Sequence, residues 1–245
     1  MSITLWTVLF FVLTAALLAL PFYPAWTEWR HPVDTLALAF KDRPLQDTVP
    51  VSAQVRLEPM SATPAMVSAS VRILASSGSR FQKLTAPTIL LGTASQPYRN
   101  TAHAPLRTVL QTIPHSQKWG THGWRIQGDC HIPDAQQVTG PLVVMGSLTV
   151  GADCLLDGDI KAHGAVQIGS RSQVQGALFS EHAIALHEGV RIQGPVVSQA
   201  HVDLGSGVTV GSLEHPSTLS TPHMLANPGA VVHGTVWATQ FGRVA

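Results

Sequence analysis

Four glycines, Gly140, Gly158, Gly176 and Gly194, stand eighteen residues apart, and a finer period of six runs inside that interval. Apolar residues recur at Leu142, Leu148, Ile160, Val166, Leu178 and Ile184, and again at Val190, Val196, Val202 and Val208. The two skipped positions hold the small residues Cys154 and Ser172. A second column follows two residues later, at Val144, Val150, Leu156, Ile168, Val174, Leu186, Ile192, Leu204 and Val210, with Ala162, Ser180 and Ser198 between them. Each hexad therefore reads small-x-Φ-x-Φ-x, where Φ is apolar. The alternation makes a short strand with one buried face. A small residue every sixth position lets the backbone turn a corner without a side-chain clash. Three strands and three corners close a triangular coil of eighteen residues. No coil buries its apolar face alone, so coils stack and share one core. The chain is expected to be all-β, a parallel β-helix; the strands of a β-sandwich would not hold a fixed period through so many turns.

The period extends upstream, where Trp124, Ile126, Cys130 and Ile132 fall in register with Leu142, Val144, Leu148 and Val150. Five coils from about His122 to Gly211 predict a core roughly 24 Å long. Downstream, the stretch Gly229 to Val236 repeats Gly189 to Val196 at an offset of forty, two coils plus four, which assigns a four-residue insertion to 214–228. Residues 122–245 are thus read as the β-helix.

From Ile3 to Leu20 no charged residue interrupts an apolar run. A helix of that length spans roughly 27 Å, close to the hydrocarbon thickness of a bilayer. Trp6 lies near one end and Tyr23, Trp26 and Trp29 near the other, where amphipathic rings favour the interface. Residues 1–26 are read as a single-pass membrane anchor. A cleavable signal peptide would carry a basic start and a small-x-small cleavage site, and neither is present. Arg30, Lys41 and Arg43 follow the run and no basic side chain precedes it, which places the β-helix on the cytoplasmic side.

Between anchor and repeat, 27–93 reads as a small mixed α/β or β region. Val51, Ala53, Val55 and Leu57 alternate with other residues, as do Val67, Ala69, Val71 and Ile73, and Thr88 to Gly92 is a third candidate strand. Ser52 to Glu58 is equally consistent with a helical turn capped by Ser52 and stopped by Pro59. Residues 94–121 read as a linker.

Fifteen basic against fourteen acidic residues give no charge with which to attract nucleic acid. Twelve histidines invite a metal reading. However, His182, His187 and His201 stack at eighteen over residues other than histidine, His163 stacks over Glu181, and no metal-ligand spacing accompanies them. Gly205-Ser-Gly-Val-Thr-Val-Gly lies inside the strand repeat and is no nucleotide loop. Cys130 and Cys154 fall in the inward columns as small core residues. Catalytic residues, metal ligands and cofactors are accordingly expected to be none, and the chain is expected not to be an enzyme. The rival is a hexapeptide acyltransferase, whose repeat needs a small residue four positions after the aliphatic one and a histidine base in a trimer groove. Ile168-Gly-Ser-Arg-Ser-Gln173 fits that repeat, most other hexads do not, and His163, His187 and His201 are the nominal bases.

The segments Leu155-Leu-Asp-Gly-Asp-Ile-Lys-Ala162 and Val174-Gln-Gly-Ala-Leu-Phe-Ser180 follow the pattern Φ-x-G-x-Φ-x-A/S. On these the chain from about 122 to 237 resembles the bactofilins, polymer-forming bacterial cytoskeletal proteins. The resemblance implies a right-handed β-helix that associates end to end without nucleotide, at the bacterial inner membrane, and recruits cell-wall or morphogenetic proteins. If the ends associate, an unpaired ring of backbone groups and a continued apolar column would drive it. Trp124 and Ile126 at one end, and Val232, Val236 and Trp237 at the other, are the expected assembly residues. The expected function is a membrane-anchored, self-associating scaffold; a non-polymerising binding module that uses the insertion and the 27–93 region is the further alternative.

Overall fold

A computed structural model describes Thr14 and residues 52–92, 107–109, 113, 115–120 and 122–245. The anchor and its interface residues Trp6, Tyr23, Trp26 and Trp29 lie outside the described residues. Residues Val49–Ala245 form one compact unit, all-β, a parallel β-solenoid of about 9 turns spaced about 18 residues apart.

The repeat places three strands in each coil. The first comprises β7 (Gly123–Ile126), β8 (Cys130–Ile132) and β9 (Gln136–Thr139), preceded in the chain by β1 to β6, which are described below. The second holds β10 (Leu142–Val144), β11 (Leu148–Val150) and β12 (Leu155–Asp157), and the third β13 (Ile160–Ala162), β14 (Val166–Ile168) and β15 (Gln173–Val174). Next come β16 (Leu178–Ser180), β17 (Ile184–Leu186) and β18 (Arg191–Ile192), then β19 (Val196–Ser198), β20 (His201–Leu204) and β21 (Thr209–Val210). Through the first four coils each strand pairs in parallel with the strand eighteen residues on, as in Leu142↔Ile160, Leu148↔Val166 and Leu156↔Val174. Three faces result, begun by β7, β8 and β9. Both predicted apolar columns point inward, and Leu142, Val144, Leu148, Ile160 and Leu178 are buried.

Corners are shaped by the neighbouring coil. A Cβ on Gly176 would sit 2.4 Å from the carbonyl carbon of Gly158, and one on Gly158 2.6 Å from that of Gly140, so this column admits only glycine. A second corner needs the left-handed backbone in every coil: φ is 54° at Ala135, 59° at Asp153, 60° at Arg171, 68° at Gly189 and 67° at Gly207. Glycine enters this column only in the later coils. Aspartates tie coils together, with Asp129 Oδ1 accepting from Ser147 N and Asp134 Oδ1 from Ala152 N, each eighteen residues on.

The extra residues predicted near 214–228 lie at its start. Val196 pairs with Leu219 and Val210 with Val232, offsets of 23 and 22 in place of eighteen. The exposed corner residues Leu213 to Pro216 take up the excess, and β22 (Ser217–Ala226) then resumes as an ordinary member of the stack. β23 (Ala230–Val244) runs round all three faces.

Residues 27–93 are read from sequence as a mixed region, but their described part is all strand and joins the same sheet. β1 (Gln54–Leu57), β2 (Ala62–Ser68), β3 (Arg72–Ala75) and β4 (Arg80–Leu91) repeat the coil, with Gln54↔Arg72 and Ala62↔Arg80 again eighteen apart. Ser52 to Glu58 therefore contributes a strand, not a helical turn. β4 lies antiparallel on β23, with Ala230↔Leu91, Val236↔Leu84 and Arg243↔Arg80. This run visits the faces in reverse order while advancing in the reverse direction along the axis, so both runs wind with one hand. The ring of Phe81, 1% exposed, fills the space beside Gly242, where a Cβ would lie 2.4 Å from Phe81 Cε2.

Within 94–121, β5 (Thr108–Val109) pairs with β9 and β6 (Ser116–Trp119) runs antiparallel to β7, with Ile113 buried between them in sequence. These residues cover much of the first coil.

In urea unfolding, Gly176→Ala is expected to lose more than about 2 kcal/mol, because the new methyl meets backbone that cannot yield. Ala135→Gly should be neutral or gain up to about 1 kcal/mol by relieving a left-handed alanine. Leu84→Ala should cost about 2–5 kcal/mol. A double-mutant cycle with Val236→Ala should show coupling of about 0.5–3 kcal/mol; additivity would mean that β4 does not cover β23.

Candidate functional site

The ends of the solenoid differ from the sequence expectation. Val232, Val236 and Trp237 were expected at a terminal coil, but β4 covers their strand, and Val232 and Val236 are fully buried. The physical reason is that β23 would otherwise present a long edge of unpaired backbone, which the N-terminal strands supply a partner for. At the other end Ile126 is fully buried and pairs with Ser116, while Trp124 is half-buried under β6. Trp124 Nε1 donates to Thr139 O at 3.1 Å, and Lys118 Nζ lies 5.8 Å from its ring centroid. Neither residue is a bare terminal surface.

The outermost strands are instead β1 and β2 at one end, and β5, β6 and β8 at the other. Among the described strands, only β11 pairs with β8. The coil of β1 and β2 carries three exposed apolar side chains, Met60, Met66 and Val71. An eighteen-residue signal for this coil is present in the sequence as Val55 with Ile73 and Leu57 with Ala75. It is obscured because the next coil has shortened: Ile73 pairs with Ile89, sixteen residues on.

Among the described residues the histidines are spread over the solenoid, with His201 beside His223. His163 Nδ1 meets Glu181 Oε1 at 2.8 Å, the one stacked partner foreseen. His163, His187 and His201, the nominal acyltransferase bases, stand in three different columns. His201 stacks differently from the expectation: the 22-residue coil puts it beside His223, not beside a residue eighteen on, and its Nε2 is 3.7 Å from Asp203 Oδ2. The ring of His223 packs against Phe241 with centroids 4.7 Å apart. Among the described residues, no group of three or more His, Cys, Asp or Glu is placed to hold a metal ion.

Cys130 and Cys154 are buried free thiols in the inward columns. Burial pushes the Cys130 thiol up to about 11 and raises that of Cys154, because the core disfavours the thiolate. Asp153 is held below the usual carboxylate range, first by its hydrogen bond from Arg171, whose guanidinium is bidentate on it at 2.8 and 2.6 Å. Arg107 Nε donates to Asp153 O, fastening the start of the covering segment to the second coil.

One surface feature went unread in the sequence: the outward residue between the two apolar columns of the first face. Register lines up Arg125, Val143, Lys161, Phe179 and Val197, each eighteen apart. Ser220, Trp237, Lys83 and Met66 continue the line across β22, β23, β4 and β2. Lys161 Nζ lies 5.5 Å from the centroid of the Phe179 ring and Lys83 Nζ 5.4 Å from that of Trp237. The first five residues could have been found from their spacing; the last four follow only from the 23-residue coil and the reversed run.

No family model, curated protein or solved structure matches the chain.

The native protein is expected to leave both thiols unreacted with a thiol reagent near neutral pH, and to expose two on denaturation. A raised thiol pKa contributes stability below the unfolded value, lost as pH climbs from about 9 toward 11. Cys130→Ala should flatten that loss in unfolding measurements across this range.

Proposed function

We propose that the chain is a membrane-anchored structural scaffold of bactofilin type. Residues 1–26 form a single-pass anchor in a bacterial inner membrane. The solenoid is right-handed, lies on the cytoplasmic side, associates with further copies through its outer edges, and offers its faces to cell-wall or morphogenetic proteins. It works by rigidity and display, with no catalytic step.

The observation that carries this reading is the β4–β23 junction. Two solenoid runs meet end to end within one chain through antiparallel backbone pairing that extends, across two register shifts, from Ala230↔Leu91 to Arg243↔Arg80, over a shared core. The edges of β1, β2 and β8 offer the same kind of backbone groups to another copy. Apolar burial at about 25 cal/mol per Å² would reinforce such a contact. The sites first expected at Val232, Val236 and Trp237 pass to the coil of β1 and β2.

Sedimentation and electron microscopy of the full chain in detergent test the reading. Concentration-dependent elongated assemblies are expected, and Met60→Glu with Val71→Glu should shift them to smaller species while leaving the fold intact. A strictly monomeric chain at high concentration counts against a polymer, and a trimer holding an acyl thioester between subunits would replace the scaffold with the acyltransferase.

A further inference from the structure

We infer that the first face of the solenoid is a docking surface for an anionic lipid bilayer, on which the folded domain lies along its length. The inference draws on the anchored reading for the nearness of a membrane, but its own support is the outward column of that face. Arg125, Lys161 and Lys83 are interleaved there with Phe179, Trp237 and Met66, and no carboxylate interrupts the column. From β6 to β2 the face spans ten strands, roughly 43 Å at the spacing of paired strands. Trp237 is 48% and Met66 47% exposed, with no described strand covering either ring or thioether.

The chemistry fits lipid better than other anionic partners. Two of the three cation–ring contacts among the described residues, Lys161 with Phe179 and Lys83 with Trp237, lie in this outward column. Rings of this kind settle at headgroup depth, while an ammonium on a flexible stem reaches the phosphates. Three cations over that length are too sparse for a nucleic acid, which carries a charge about every 1.7 Å of duplex. Two flanking carboxylates have partners within the fold, Asp159 Oδ1 accepting from Ala177 N and Glu181 meeting His163. The other outward columns differ. The second is interrupted by Asp203, between Ala185 and Leu225, before it reaches Arg243 and Arg80, and the third carries Arg191 between Gln173 and Thr209 but no aromatic ring. Each cation near an anionic surface favours the docked state about fivefold.

The test uses the full chain reconstituted in vesicles of phosphatidylcholine, with or without phosphatidylserine. A polarity-sensitive fluorophore is placed by Ser220→Cys on the first face, Ala185→Cys on the second or Thr209→Cys on the third, the native thiols being buried. Brominated acyl chains should quench the probe at 220, and not at 185 or 209, when phosphatidylserine is present. Lys83→Gln with Lys161→Gln should lower the ratio of docked to undocked chain about 25-fold. Equal quenching at the three positions, or none at 220, overturns the inference. So does a probe at 220 that answers to a single-stranded oligonucleotide but not to vesicles. Carbonate extraction reads the anchor separately: a chain retained but unquenched loses the docking face alone, and a chain released yet quenched at 220 keeps the face and loses the anchor.

Discussion

Backbone hydrogen bonding from each coil to the next is the interaction on which the rest of this molecule depends. Strands of two to four residues have no independent stability. They persist because Cys130 N donates to Ser147 O, Leu148 N to Ala165 O and Val166 N to Ala183 O, rung after rung. The inward columns add burial to a ladder whose geometry is already set. The corners enforce it, since Gly176 rests on Gly158 and Gly158 on Gly140 too closely for any side chain. Where a corner holds a polar residue, that residue bonds across coils: Ser172 Oγ accepts from Cys154 N and donates to Gly151 O. Such bonds satisfy backbone groups that the turn would otherwise bury without partners.

A ladder of this kind has no internal reason to stop, and its ends are its liability. Here each end is treated differently. β5, β6 and Ile113 close over part of the first coil, and among the described strands β8 has a partner on one side only. At the other end, about two further coils from the N-terminal side of the chain are laid on β23 in the opposite direction, and Phe81 packs into the space that Gly242 leaves. Reversal is tolerated because the two runs share one hand, so the three faces stay aligned through the junction. For a scaffold, this moves the surfaces available to a second copy from the C-terminal strand to β1 and β2. It also extends the first face into one unbroken outward column.

Much of this was legible in residues. The columns through Leu142, Leu148 and Leu156 state the coil, its length and its inward side, and the offset of forty between Gly189 and Gly229 states the insertion. The left-handed corner was not legible, because Ala135, Asp153 and Arg171 occupy it without being glycine. The coils formed by β1 to β4 were harder still: their corners carry Pro59, Met60 and Ser70, and their second repeat is sixteen residues long on one face. The pairing of His201 with His223 was hidden by the same cause as the continuation of the first face, a coil of 22 or 23 residues that displaces every later register.

The sequence by itself determined the coil: a six-residue period of small and apolar residues can be satisfied by a three-strand turn stacked on its copies, and each stacking contact is local in that period. Tertiary structure alone decided how the ends are finished. Every terminal coil offers the same ring of backbone donors and acceptors, so periodicity cannot say which edge an upstream segment will choose. That choice rests on contacts between residues more than a hundred positions apart, Phe81 with Gly242 and Leu84 with Val236, whose complementarity exists only once both runs have coiled.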